Sequence, residues 1–271
     1  MPRIAVTSID DPRIAPYRQL KETNATRREG LFVCEGAKLA RRLIESDFET
    51  GSLLVGERWA DDFANISAST PVYVVCDAWI DEIIGFNFHR GVLACGKRRP
   101  PRSVDDLCRN LGERCVLAVC PDVQDPENLG TILRIASAFG VDGVVRGKKT
   151  ADPFSRRVLR VSMGASLRLP IAASDDISGD LHRLGEVWRL ERWATVLDAD
   201  AIPLVELTRP DRLALLFGSE GHGLDRGLVG QCDRRVKIPM APGVDSLNVG
   251  VAAGIFFHEV MRSHPATVDL P

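Results

Sequence analysis

The sequence predicts an α/β protein in two parts: a larger C-terminal domain built on a mainly parallel sheet, preceded by a smaller α/β domain. Three observations carry this. Apolar runs of strand length alternate with segments of helical period on both sides of one break. That break is Pro100-Pro101, set among Lys97, Arg98, Arg99 and Arg102. A proline pair inside a charged run reads as a linker. Behind it, the strands run into Gly-rich or polar loops, as the carboxyl ends of parallel strands do. The expected boundaries are 1–99 for the first domain, 100–112 for the linker and 113–271 for the second.

In the first domain, Leu31–Cys34, Ser52–Val55, Val72–Val75 and Gly91–Cys95 have the length and composition of strands. Ala37–Ile44 reads as a helix, with Ala37, Ala40 and Leu43 or Ile44 inward, and Ala78–Ile84 as another. In the second domain the strands are expected at Cys115–Val119, Gly143–Arg146, Ala194–Leu197, Leu213–Phe217 and Arg235–Ile238. Helices are expected at Glu127–Phe139 and Ser155–Met163. A last helix enters behind Asp245 and Ser246 and is apolar or small almost all round, from Leu247, Val249 and Val251 to Ile255, Phe256 and Val260. Such a helix is expected to be buried. Pro265–Pro271 reads as a loose tail, and no internal repeat is visible.

With 271 residues, 45% hydrophobic and 27% charged, the chain has material for two cores and the balance of a soluble protein. No apolar run reaches the roughly 20 residues of a membrane span. The seven cysteines are scattered, with no C-x-x-C pair, which argues for reduced, mostly buried thiols, a cytoplasmic setting and no zinc site. Net charge is −2, so composition alone does not announce a nucleic-acid partner. Charge is patchy, however. Besides the linker cluster, Arg146, Lys148, Lys149, Arg156, Arg157 and Arg160 are opposed only by Asp152. On charge alone these read as solvated surface.

Three loops stand out as a possible site. The first runs from Asp122 through Asp125 and Pro126, a helix cap and first turn, to Asn128, Gly130 and Arg134. The second, F-G-S-E-G-H-G-L (Phe217–Leu224), has three glycines in six residues. Its spacing fits neither G-x-G-x-x-G nor G-x-S-x-G, so Glu220 draws more interest than Ser219, and His222 reads as a turn residue. The third, Pro239–Asn248, brings Ser246 and Asn248 to a helix start, where a polar side chain either caps or faces a ligand. Together the loops describe one pocket beyond the carboxyl ends of the strands. No Ser-His-Asp or Cys-His arrangement suggests a hydrolase.

The segments N-L-G-T-I-L-R (Asn128–Arg134), F-G-S-E-G-H-G-L (Phe217–Leu224) and I-P-M-A-P-G-V-D-S-L-N-V (Ile238–Val249) resemble, in order, the three motifs of the SpoU-type (TrmH-like) RNA 2′-O-ribose methyltransferases of the SPOUT superfamily. Ala151–Ala165 resembles the family's segment between the first two motifs, so the likeness runs from about Val116 to Arg262. More loosely, Phe32–Leu39 and His89–Ala94 are similar to the family's ribosomal-protein-like RNA-binding domain.

The resemblance implies a deep C-terminal trefoil knot, an exception to the rule against threaded chains. It implies S-adenosylmethionine as cofactor, against Gly218, Ile238, Met240 and Leu247 with Leu197 as a further contact, and a homodimer. It gives Arg134 the role of activating the ribose hydroxyl, and Asn128, Glu220, Ser246 and Asn248 that of orienting the ribose and the loop. A guanidinium rarely gives up its proton, so holding a phosphate or a developing alkoxide is the alternative role for Arg134. The expected substrate is ribosomal RNA, with Arg98, Arg99, Arg156 and Arg157 as backbone contacts. Transfer RNA and a catalytically silent RNA-binding protein of the same fold remain alternatives. No metal and no membrane are expected.

Overall fold

A computed structural model describes residues 3–18, 20, 27–63, 70–85 and 90–262. The expected tail at Pro265–Pro271, and His89 in the first domain, lie outside these residues. Up to Pro100 the chain forms β1 (Arg3–Ala5), β2 (Leu31–Glu35), α1 (Ala37–Ile44), β3 (Thr50–Gly56), β4 (Val72–Val75), α2 (Ile80–Ile84) and β5 (Val92–Lys97). From Pro101 to Arg168 it forms α3 (Val104–Cys108), β6 (Cys115–Cys120), α4 (Pro126–Phe139), β7 (Gly143–Arg146) and α5 (Arg156–Val161). From Leu169 on come β8 (Ile171–Ala173), α6 (Ile177–Glu186), β9 (Glu191–Thr195), β10 (Ile202–Pro203), β11 (Arg212–Leu216), α7 (Arg226–Val229), β12 (Arg234–Lys237) and α8 (Val249–Arg262).

These elements gather into two compact units. One holds the residues up to Pro100 together with Phe154–Arg168, and the other holds Pro101–Pro153 together with the residues from Leu169 on. The first unit is a mixed sheet in the order β1-β4-β3-β5-β2. Its β3 pairs with β4 in parallel and with β5 antiparallel.

Phe154–Arg168 was expected in the second domain, and its packing in the first unit has a clear physical cause. The Phe154 ring lies 5.2 Å from both Phe32 and Phe48, and Leu159 and Leu167 are buried in the cluster of Phe32, Leu43, Leu53 and Val92. Each such buried side chain contributes about 1.5–3 kcal/mol. Ser155 caps α5, the helix ends at Val161, and Met163 and Gly164 just beyond it both have positive φ.

This packing changes the reading of the basic residues. Arg156 donates to the carboxylate of Glu35 and to the Leu20 carbonyl. Glu35 is only 4% exposed, so Arg156 is the partner of a buried charge before it is anything else. Arg98 donates Nε to the Leu31 carbonyl at 2.9 Å and lies over the Phe154 ring, and Arg99 lies over Phe48. Arg157 is exposed. The cluster that looked continuous in sequence is divided between the units: Lys148 and Lys149 in the second, Arg156, Arg157 and Arg160 in the first.

The second unit is a seven-stranded sheet in the order β10-β12-β9-β11-β6-β7-β8, with every pairing parallel. All six residues of β6 are buried, as a central strand covered on both faces requires. The sequence reading lacked β8 and α6. The strand has three residues, and α6 carries Gly179, Gly185 and alternating charges that blur its apolar stripe of Leu181 and Leu184.

The last helix also differs from expectation. It begins at Val249, so Asp245, Ser246 and Leu247 lie in the preceding loop. It is not buried all round: Gly250, Ala253, Phe256, Phe257 and Val260 face inward, while Val251 is 50% and Ile255 38% exposed. No described helix is long and apolar enough to cross a membrane.

Cys34, Cys95, Cys108, Cys115 and Cys120 are buried, Cys232 is half-buried and Cys76 is exposed. Burial pushes Cys95, Cys108, Cys120 and Cys232 up to about 12, leaving almost no thiolate at neutral pH. A thiol-reactive disulfide reagent at about pH 8 is expected to label Cys76 alone in the native protein, and Cys76→Ser to abolish that label. Rapid labelling at a second position would contradict this packing. Arg156→Ala leaves Glu35 buried without its partner and is expected to cost about 3–5 kcal/mol in a denaturant melt.

Candidate active site

Four neighbouring strands of the parallel sheet, in the order β12, β9, β11, β6, send their loops over one edge. A cavity of about 960 Å³ opens there. The loop after β9 contributes Thr195–Asp198, that after β11 Gly218–Leu224, and that after β12 Ile238, Met240 and Asp245–Asn248.

The β11 loop has the shape its glycines demand. Ser219 and Gly223 exchange two backbone hydrogen bonds of 3.0 Å, closing a tight hairpin. Gly223 sits at φ 66°. A Cβ on Gly218 would lie 2.2 Å from the Gly223 carbonyl carbon, so no larger residue fits. Ser219 Oγ accepts from the His222 amide at 3.3 Å, which makes His222 the turn residue the sequence suggested. This hairpin turns Glu220 towards the start of α4.

There the three loops are joined by hydrogen bonds. Asn128, 7% exposed, donates Nδ2 to Glu220 Oε1 at 2.7 Å. Its Oδ1 accepts from Asn248 Nδ2, also at 2.7 Å. Asn248 Oδ1 in turn accepts from the amides of Gly250 at 2.9 Å and Val251 at 3.3 Å, capping α8. The sequence left open whether Asn248 caps or faces a ligand. It caps with its oxygen and ties α8 to α4 with its nitrogen.

Helix packing holds this chain in place. A Cβ on Gly250 would meet Thr131 at 2.8 Å, one on Gly254 would meet Ile135 at 3.3 Å, and the Phe139 and His258 rings lie 5.8 Å apart. Partners advance together in steps of four along both helices. So α4 and α8 run parallel in close contact, with their amino ends side by side at the cavity.

The structure brings most of the expected residues together. Leu197, Gly218, Ile238, Met240 and Leu247 all line the one cavity, as do Glu220, Ser246 and Asn248. Asn128 joins through its bond to Glu220. Arg134 does not line the cavity. It lies six residues beyond Asn128, about 9 Å along α4 and on another face, where it is exposed. The sequence reading passed over Thr195, Asp198 and Arg226, which also line it, and took Asp245, another lining residue, only as preceding the last helix. Arg226 was legible only as the residue after a cap, Asp225, whose side chain accepts from the Gly227 amide. Burial first, and then the Glu220 charge, push the Cys120 thiol up to about 12, which makes it a poor nucleophile beside the site. Among the described residues no group of side chains could hold a metal ion.

Residues 116–258 match the family model described as SpoU rRNA Methylase family. The chain belongs to this family. It is 38% identical over 264 residues to an uncharacterised tRNA/rRNA methyltransferase of Mycobacterium tuberculosis, covering 94% of this chain and 90% of that one. It is 39% identical over 187 residues to the 23S rRNA (guanosine-2′-O-)-methyltransferase RlmB of Nitrosomonas europaea, covering 68% and 70% of the two. Among solved structures, an AdoMet-bound rRNA methyltransferase from Sinorhizobium meliloti superposes with a TM-score of 0.83 at 26% identity, covering 96% of this chain and 98% of the other. As a SpoU-family protein, the chain is an RNA methyltransferase, and the three linked loops all lie within the matched residues.

The amide of Asn128 is the joint to test. Asn128→Asp keeps the shape but sets a carboxylate against Glu220. One acid of the pair then takes a folded pKa above its unfolded value, so its protonated form fits the fold and its ionised form does not. The penalty is expected at about 1–3 kcal/mol at neutral pH, shrinking as pH falls through that raised value. Melting curves of variant and parent at neutral and acidic pH check this. A difference that stays constant with pH would remove the Asn128–Glu220 bond from the account.

Proposed function

We propose that the chain transfers a methyl group from S-adenosylmethionine to a ribose 2′-hydroxyl, in ribosomal RNA. The observation that carries this reading is the Glu220–Asn128–Asn248 chain at the rim of a cavity lined by Leu197, Ile238, Met240 and Leu247.

The cavity suits the cofactor. Leu197 is 62% exposed, an apolar side chain with no protein cover at the cavity wall, as an adenine slot would have. Gly221 and Gly223 leave open space on the same wall, where a Cβ would meet nothing. Gly218, Ile238, Met240 and Leu247 would hold the adenosine. The trefoil knot that goes with this family would place the β12 loop around it.

S-adenosylmethionine, when bound, supplies an electrophilic methyl group on a sulfonium. The protein's part is alignment and charge. Glu220 Oε1 is held by Asn128, and Oε2 is left to accept the hydrogen bond, and then the proton, of the attacking ribose hydroxyl. Asn128 and Asn248 fix the direction from which Glu220 accepts. Ser246 has a hydroxyl at the mouth to position the ribose. Arg134 stabilises phosphate or alkoxide charge. Because Arg134 lies off its own cavity, the reading includes a homodimer. The exposed Val251 and Ile255 of α8 are the apolar surface a second copy would cover, bringing Arg134 near a partner's cavity. Ribosomal RNA is preferred over transfer RNA because the curated relative at 39% identity with a stated target acts on 23S rRNA.

The test is transfer of labelled methyl to unmodified ribosomal RNA and, in parallel, to total transfer RNA. Label is expected in ribosomal RNA, in a nucleotide whose 3′ linkage resists alkali because its 2′-oxygen is blocked. Arg134→Ala is expected to lower turnover by about 10²–10³. Label in alkali-sensitive positions would overturn ribose as the target, and label only in transfer RNA would overturn the choice of RNA.

A further inference from the structure

The hairpin Gly218–Leu224 has a cavity on each side. Towards β12 and β9 lies the one already described. Towards β6, β7 and β8 lies a second cleft of about 640 Å³, lined by Asp122, Gly147, Lys148, Lys149 and Asp175 from the loops after those strands. The two share Gly218, Ser219, His222, Gly223, Leu224 and Arg226, so a group in the second cleft is one loop's thickness from the first.

We propose that this second cleft holds the RNA chain next to the target nucleotide, with Arg226, Lys148 and Lys149 as phosphate contacts. The inference rests on the RNA methyltransferase reading above.

Arg226 lines both cavities, and its guanidinium has no hydrogen-bond or ion-pair partner among the described residues. A guanidinium at the junction of two cavities is the side chain suited to bidentate phosphate binding. Lys148 and Lys149 are only loosely held. Their ammonium groups lie 3.6 Å from Asp175 and 3.7 Å from Asp122, beyond hydrogen-bond length, on side chains 67% and 75% exposed. Such pairs are worth little and exchange readily for a phosphate. Ile177, the first residue of α6, also lines the cleft, but the amino end of that helix is already capped by Asp176, whose carboxylate accepts from the Gly179 amide. Asp225 is taken up in capping α7. Three carboxylates against three cations leave the cleft near neutrality. Recognition here would come from short-range phosphate contacts, which suits a chain of net charge −2.

The experiment uses the full chain, an in vitro transcribed ribosomal RNA and S-adenosylmethionine, with Arg226→Glu and the double variant Lys148→Glu/Lys149→Glu. RNA affinity is measured by titration at several salt concentrations, cofactor affinity by calorimetry and folding by thermal melt. Each variant is expected to weaken RNA binding by about tenfold or more and to flatten the salt dependence by about one unit per cation lost. The lysine variant is expected to keep its cofactor affinity. Unchanged RNA affinity in both variants would overturn the proposal. So would an Arg226→Glu variant that loses cofactor affinity and keeps RNA affinity, since the guanidinium would then belong to the cofactor's carboxylate. If a variant melts early, Arg226→Gln and Lys148→Gln/Lys149→Gln carry the same comparison. A parent protein that binds RNA but transfers no methyl would sink the methyltransferase reading while the variant affinities still judged the cleft. One that binds no RNA would sink both.

Discussion

The Glu220 carboxylate sets the direction of the hydrogen bonds that join the three loops of the site. Glu220 must receive a donor from Asn128, which commits the Asn128 amide to one orientation. The oxygen of that amide must then accept, which orients Asn248 in the same sense. The remaining Asn248 oxygen is left to accept from the first amides of α8. Charge on one loop thus determines how a helix is capped on another. The polarity is also favourable electrostatically, because a negative charge lies near the amino ends of two parallel helices.

That arrangement depends on backbone proximity. α4 and α8 approach closely only because Gly250 and Gly254 present no side chain to Thr131 and Ile135. A bulkier residue at Gly250 would push the helices apart, and two hydrogen bonds of 2.7 Å have little slack. Small residues on α8 therefore matter for distance rather than for lining a ligand. Their contribution to the site is made one turn away from it.

This explains which parts of the molecule were legible in the sequence. Ala37–Ile44, Val72–Val75 and Gly143–Arg146 have their observed ends because caps, glycines and apolar runs are local signals. The parallel sheet was legible from the alternation of elements, and the cavity-lining loops from their glycines. The assignment of Phe154–Arg168 was not. Its place in the first unit depends on Phe32, Phe48 and Glu35, more than a hundred residues earlier in the chain. The exposed face of α8 was also out of reach. Val251 and Ile255 are as apolar as the residues that face inward, and hydrophobicity alone cannot tell a core face from an exposed one.

The basic residues show the same limit at the level of function. Six cations in one stretch of sequence invite the idea of a single anion-binding face. Burial separates them, because a cation beside a buried carboxylate is committed to folding: Arg156 neutralises Glu35. Lys148 and Lys149 remain on the surface with carboxylates at more than 3.5 Å. What makes a cation available to RNA is therefore how little its protein partners hold it. Arg226, which follows an ordinary cap, meets that condition, with no hydrogen-bond or ion-pair partner for its guanidinium among the described residues.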